Sequence, residues 1–125
     1  MTSLPPLTTE TLWAILHDEI DDEIVNRLLW HCLGYRYDEE ADQWDTRDVA
    51  TDWRDRYPEP PDFIANRPPT VQLTRSIPKP HKQLLKEKLG FAGYKVGELV
   101  PRRTRRATAV NWFLSYLETH PIADA

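Results

Sequence analysis

Charge is divided unevenly along this chain. Residues 1–62 hold sixteen of its acidic side chains against five arginines (Arg27, Arg36, Arg47, Arg54, Arg56), a local charge of −11, while the remainder holds eleven cations against four acids, +7. A chain built this way has two ways to fold. The two parts pack against each other so that their charges neutralise or sit in water, or they leave a bipolar surface that steers a charged partner. The sequence favours the first. The net charge of −4 is only the remainder of the two halves.

With 125 residues, the chain buries about two-thirds of the surface exposed when unfolded, enough for one core. One domain over residues 1–125 is expected, with flexible ends at 1–7 and 120–125. The longest apolar run, Leu12 to Leu16, is far short of the ~20 residues of a membrane span, and no basic stretch followed by an apolar one opens the chain. Neither membrane insertion nor secretion is expected. The single cysteine, Cys32, can form neither an internal disulfide nor a cysteine zinc cluster, which is consistent with a reducing compartment.

Thr8 or Thr9 caps a first helix with Leu12, Trp13 and Leu16 on one face. Asp21 and Asp22 start a second, where Ile24, Val25, Leu28, Leu29 and Cys32 keep helical spacing and Gly34 supplies the left-handed stop. Tyr35, Tyr37 and Trp44 flank the acidic turn at 38–42, a pattern for a small hairpin with aromatics across its strands. Asp48 to Tyr57 reads as a short helix presenting Val49 and Trp53, ended by Pro58. Pro58 to Pro69 reads as an extended connector anchored by Phe63 and Ile64, and Val71 to Thr74 as a strand by alternation. Pro80 opens a helix holding Leu84, Leu85 and Leu89, ended by Gly90, with Lys82, Lys86 and Lys88 outward. Tyr94, Val96 and Leu99 suggest another short strand. The last helix, starting at Pro101 or Thr104, carries Val110, Phe113, Leu114 and Leu117 as a buried stripe. The expected architecture is a compact α+β domain, two N-terminal helices and a C-terminal helix packed around a small antiparallel sheet.

The sharpest local anomaly is Arg102-Arg103-Thr104-Arg105-Arg106. It places four cations at the positive end of that helix, where each exposed one costs about 0.3–1 kcal/mol. Compensation must come from the acidic part of the chain, a bound anion, or an acidic partner. Arg105, Thr108, Trp112 and Tyr116 form a stripe beside the apolar one, and Trp112 and Tyr116 read first as a widened buried face. The candidate binding residues are Tyr94, Lys95, Arg102, Arg103, Arg105, Arg106 and Trp112.

Other chemistry is less well supported. Basic residues interleaved with Tyr94 and Trp112 admit nucleic-acid binding, yet the spacing is not that of a helix-turn-helix and an acidic chain repels phosphate. The His17 to Glu23 cluster admits a small enzyme, but it reads first as a solvated helix junction. Asp38, Glu40 and Asp42 begin a calcium-loop pattern that fails at Gln43 and Val49. His31 and Cys32 are adjacent and point apart. Ser3, Ser76 and Ser115 with four histidines form no triad or elbow, and Gly90 to Gly93 is no phosphate loop. His81 reads as an exposed helix-start residue. Arg105-Arg106-Ala107-Thr108 matches a basophilic kinase site, with Thr108 shielded inside a helix. No cofactor and no metal are expected.

Five stretches carry a family resemblance: Leu12 to Leu16, Trp30 to Tyr37, Tyr57 to Phe63, Leu84 to Phe91, and Thr104 to Ala109. They are similar to an uncharacterised family of cyanobacteria and plant plastids, the domain of unknown function eighteen twenty-three. The resemblance spans nearly the whole chain and implies a setting, the cytosol of an oxygenic phototroph or a plastid stroma, without an activity to carry over. The expected function is a non-catalytic binding or assembly module that engages an acidic protein surface or an anion through its basic and aromatic C-terminal face. Nothing in the residues sets an oligomeric state.

Overall fold

The apolar stripe at Val110, Phe113 and Leu114 lies on the longest helix, α6, Pro101–Thr119, and all three side chains are buried. The computed structural model describes residues 4–120. Against α6 pack α1 (Thr9–Leu16), α2 (Asp22–Leu33), α4 (Arg67–Ser76) and α5 (Leu84–Leu89). A hairpin of β1 (Arg36–Asp38) and β2 (Gln43–Asp45), then α3 (Thr51–Arg56), link α2 to α4. The strands are antiparallel and put Tyr37 opposite Trp44, as the aromatic pattern requires. Their residues are exposed or half-buried. The α+β content is therefore the expected one, with α6 at the centre and the hairpin at the edge.

Local chemistry accounts for the helix ends. Thr8 Oγ1 accepts from Thr11 N at 3.2 Å and caps α1. Past its end, Glu19 N donates to Ala14 O at 2.9 Å and Asp18 N to Ile15 O at 3.2 Å, the paired bonds of a Schellman stop. Asp18 occupies the left-handed position at φ 61°, where glycine is usual and aspartate is tolerated. Gly34 ends α2 at φ 107°, and a Cβ there would lie 2.4 Å from Asp48 O. Between α3 and α4, Asp62 Oδ1 accepts from Ile64 N, Ala65 N and Asn26 Nδ2, each at 2.9 Å. Phe63 N donates to Asn26 Oδ1 at 2.8 Å. Phe63 and Ile64 are thereby anchored in the core, as expected.

Four local expectations are corrected. Val71 to Thr74 is helical within α4. Pro68 and Pro69 sit in the first turn of that helix, where a missing N–H costs nothing, so the extended connector ends before them. Tyr94 to Leu99 forms no strand; Val96–Glu98 is a 3₁₀ turn closed by the Glu98 carboxylate on Lys95 N. Pro80 belongs to a separate 3₁₀ turn, Lys79–His81, and α5 begins only at Leu84. At the N-terminal end, Leu4 and Leu7 pack against the core. The rest of the expected flexible ends, 1–3 and 121–125, lies outside the described residues, while His120 stacks on Tyr116 at 4.2 Å.

Candidate binding surface

Three of the four arginines at the start of α6, Arg102, Arg103 and Arg106, meet the turn between α1 and α2, and Arg102 and Arg106 find there the acids the charge division called for. Arg102 reaches both: Nη1 donates to Asp18 Oδ2 at 2.9 Å, Nη2 to Asp18 Oδ1 at 2.5 Å, and Nε to Asp22 Oδ2 at 2.8 Å. Arg106 is 0% exposed. Its Nη1 donates to Asp22 Oδ1 at 2.6 Å, its Nε to Ile15 O at 3.0 Å, and its Nη2 to Ile20 O. Arg103 lies 3.5 Å from Glu98 and 5.0 Å from the centre of the Tyr94 ring. Arg105 Nη1 donates to Ile64 O at 3.1 Å and Ala65 O at 3.2 Å, tying α6 to the turn before α4.

Electrostatics follow from these contacts. The Arg102 hydrogen bonds, outweighing burial, hold the Asp18 carboxyl below the usual carboxylate range, and the same bonds, to Asp18 and then Asp22, raise the guanidinium of Arg102. Two positive helix ends, those of α2 and α6, share this junction. Asp22 sits where the α2 dipole favours an anion and offsets the cost of the α6 cations.

The expected site is therefore divided. Arg102, Arg103, Arg106 and Tyr94 do come together, but they converge on Leu16, Asp18 and Asp22 of their own chain; Tyr94 Oη donates to Leu16 O at 2.9 Å. Arg106 is withdrawn from any partner, because it has no exposed surface. Trp112 Nε1 donates to Ser76 Oγ at 3.1 Å and its ring stacks on Tyr116 at 5.5 Å, so that stripe runs along α4. Lys95 keeps an exposed side chain. His81 corrects another expectation: it is half-buried, with Nδ1 2.8 Å from Ser115 Oγ.

The acidic cluster at 17–23 does not converge on one cavity. Asp18 and Asp22 turn to the arginines, His17 and Glu19 face each other at 3.9 Å in solvent, and Glu23 pairs with Arg27 at 3.1 Å. Among the described residues, no three His, Cys, Asp or Glu side chains gather as metal ligands, and no helix is long and apolar enough to cross a membrane.

A different basic surface remains. Two adjoining grooves of about 470 and 480 Å³ flank the 91–100 segment and share Thr74, Leu99, Thr104 and Thr108 as lining. Lys82 and Lys86 line one, Arg67 and Arg105 the other, and neither lining includes a carboxylate. Beside them Val96 is 88%, Leu99 55% and Val100 45% exposed, unusual for aliphatic side chains grouped on one loop. Arg67, Leu99 and Val100 were missed as site residues. The available signal was the absence of acids between Asp62 and Glu87, within a stretch holding Arg67, Arg75, Lys79, Lys82 and Lys86.

A family model described as a domain of unknown function (DUF1823) matches residues 6–118. A structure solved by NMR in solution is 59% identical, with 94% of this chain and 98% of that one covered and a TM-score of 0.82. Among curated proteins nothing matches.

Proposed function

The chain belongs to the DUF1823 family of unknown function, and we propose that it is a non-catalytic binding module whose basic, apolar-rimmed face engages an acidic protein surface. The observation that carries this reading is the pair of adjoining grooves lined by Arg67, Lys82, Lys86 and Arg105 with no acid among them, bordered by exposed Val96, Leu99 and Val100. Cations of one sign along a concave surface raise the encounter rate of an anionic partner, and exposed aliphatics supply the desolvated centre of a contact. The proposed setting is the cytosol of a photosynthetic cell, or the stroma for plastid relatives.

The test compares affinity capture from a photosynthetic host by the wild-type chain and by a variant carrying Arg67→Glu, Lys82→Glu and Lys86→Glu. An acidic protein should be retained by the first and lost by the second, and should elute as salt approaches ~0.5 M. Identical captured sets refute the reading. So does a low-salt gel shift with single-stranded or duplex probes that the triple variant abolishes, because a phosphate surface would then be its use.

A further inference from the structure

The two basic grooves meet at a common waist in the valley between α4 and α6. Thr74 of α4, Thr104 and Thr108 of α6, and Leu99 from the loop before α6 line both. On α6 the combined lining runs from Pro101 to Asn111, about 15 Å at the rise of a helix. An extended peptide covers that distance in about five residues.

The two halves of the valley carry separate pairs of cations. Arg67 and Arg105 line one, Lys82 and Lys86 the other. Among the described residues none of these four is in an ion pair, and Arg67 and Lys86 are exposed. Each pair is therefore available to a carboxylate from outside the chain.

The waist has the opposite preference. Thr74 Oγ1 donates to Thr70 O at 3.0 Å, Thr104 Oγ1 to Pro101 O at 3.0 Å and Thr108 Oγ1 to Thr104 O at 3.2 Å. Each hydroxyl proton is thus held within its own helix, and what remains for a ligand is lone pairs, beside a Leu99 side chain that is more than half exposed. Lone pairs and an aliphatic group suit peptide N–H groups and an apolar side chain, and they repel an anion. A nucleic-acid strand, with a phosphate at every residue, would set charge against them.

We infer that the valley is a clasp for one short extended segment of an acidic partner protein, with a carboxylate at each end and an apolar residue between them. The end carboxylates meet the arginine pair and the lysine pair, and the apolar side chain covers Leu99. This rests on the reading of the basic face as a docking surface for an acidic protein, and adds the pattern that the partner must carry.

The experiment titrates the isotopically labelled full chain with three pentapeptides with blocked ends: Glu-Ala-Leu-Ala-Glu, the rearranged Glu-Glu-Ala-Leu-Ala, and Glu-Ala-Ser-Ala-Glu. The first should give saturable shifts of the Leu99, Thr104 and Thr108 amides, and the other two should bind about fivefold more weakly. Arg67→Gln and Lys86→Gln, both at exposed positions, should each weaken the first peptide about threefold. Equal binding of the three peptides overturns the clasp, since charge alone would then explain attachment, and the acidic-partner reading would survive it. No saturable shift up to ~2 mM peptide also overturns the clasp. So does self-association in sedimentation that Lys86→Gln abolishes, because the occupant would then be a second copy. The acidic-partner reading itself fails only in the capture comparison, so the two fail separately.

Discussion

Arg106→Met tests whether the acidic and basic parts are held together at one buried point. Methionine keeps most of the aliphatic volume, so the loss is polar and the cavity small. The change removes a donor from Ile15 O, Ile20 O and Asp22 Oδ1 at once. Asp22 retains Arg102 at 2.8 Å and Ile15 O retains Asp18 N at 3.2 Å, so the cost falls mainly on the Ile20 carbonyl, about 1–3 kcal/mol, and on the weakened pair, for about 2–4 kcal/mol in total. That is a large share of the roughly 5–15 kcal/mol that holds a domain of this size. With a urea slope of about 1–3 kcal/mol per molar, the unfolding midpoint should fall by about 2 M. Arg102→Gln is the comparison: its side chain is 43% exposed, and exposed pairs contribute under about 1 kcal/mol. The double variant Arg106→Met with Asp22→Asn should cost less than the sum of its single changes, since both remove the same Arg106–Asp22 bond. An Arg106→Met midpoint within ~0.5 M of wild type, or a larger loss in Arg102→Gln, refutes the reasoning.

Acid should unfold the protein by a related route. Asp18 is held low by Arg102, and Asp62 ends up low because the Ala65, Asn26 and Ile64 hydrogen bonds outweigh its burial. Both folded values lie below the unfolded ones, so their contribution is complete above pH ~4 and is lost as pH falls through the folded values. Thermal melts should decline gently between pH 7 and about 5, because burial and then Arg36 hold the His31 imidazole below its usual range, and fall more steeply below 4; Asp18→Asn with Asp62→Asn should flatten only that steeper limb, and an unchanged limb in the double variant counts against the assignment. Burial pushes the Cys32 thiol up to about 12. An aromatic disulfide reagent at pH ~8 should therefore label it rapidly only in denaturant, and rapid labelling of the native chain would contradict its burial. Gly34→Ala forces a Cβ to within 2.4 Å of Asp48 O at a positive φ. It should cost about 3 kcal/mol or more, measured by denaturant unfolding, and a neutral result would show that the turn at Asp48 can move away from α2.

The elements legible in the residues were those with short-range causes. Gly34, the Tyr37 and Trp44 pair, and the α6 stripe each announce themselves through a cap, a pairing or a period. Val71 to Thr74 misled because four alternating residues fit a strand as well as a helix turn; the arbiter was the Pro68-Pro69 helix start just upstream. Tyr94 to Leu99 alternates too, but among the described residues no partner strand is there to accept it. The arginine run was correctly seen as needing compensation, and its compensator was within reach of the pattern. Arg106 stands four residues before Val110, seven before Phe113 and eight before Leu114, so it shares the buried stripe and had to be inside. That Asp22 would meet it, 84 residues away, depends on how α2 crosses α6, which no local pattern encodes. The basic face was hidden for the same reason, since Arg67 and Lys86 approach one loop only after α4 and α5 have packed.

The bonds of Arg106 close loops of 84 to 91 residues, and four helices rest on an element that follows all of them along the chain. Synthesis runs from the N-terminus, so α1, α2 and α4 emerge with their apolar faces uncovered and Asp18 and Asp22 without counterions. The core is completed only once residues 101–119 have been made. During that interval the emerging chain stays acidic, from −11 over residues 1–62 to −6 over residues 1–100, and like charges hold unfinished copies apart. The acidity that the native junction partly neutralises thus keeps the nascent polypeptide dispersed until the helix that completes it arrives.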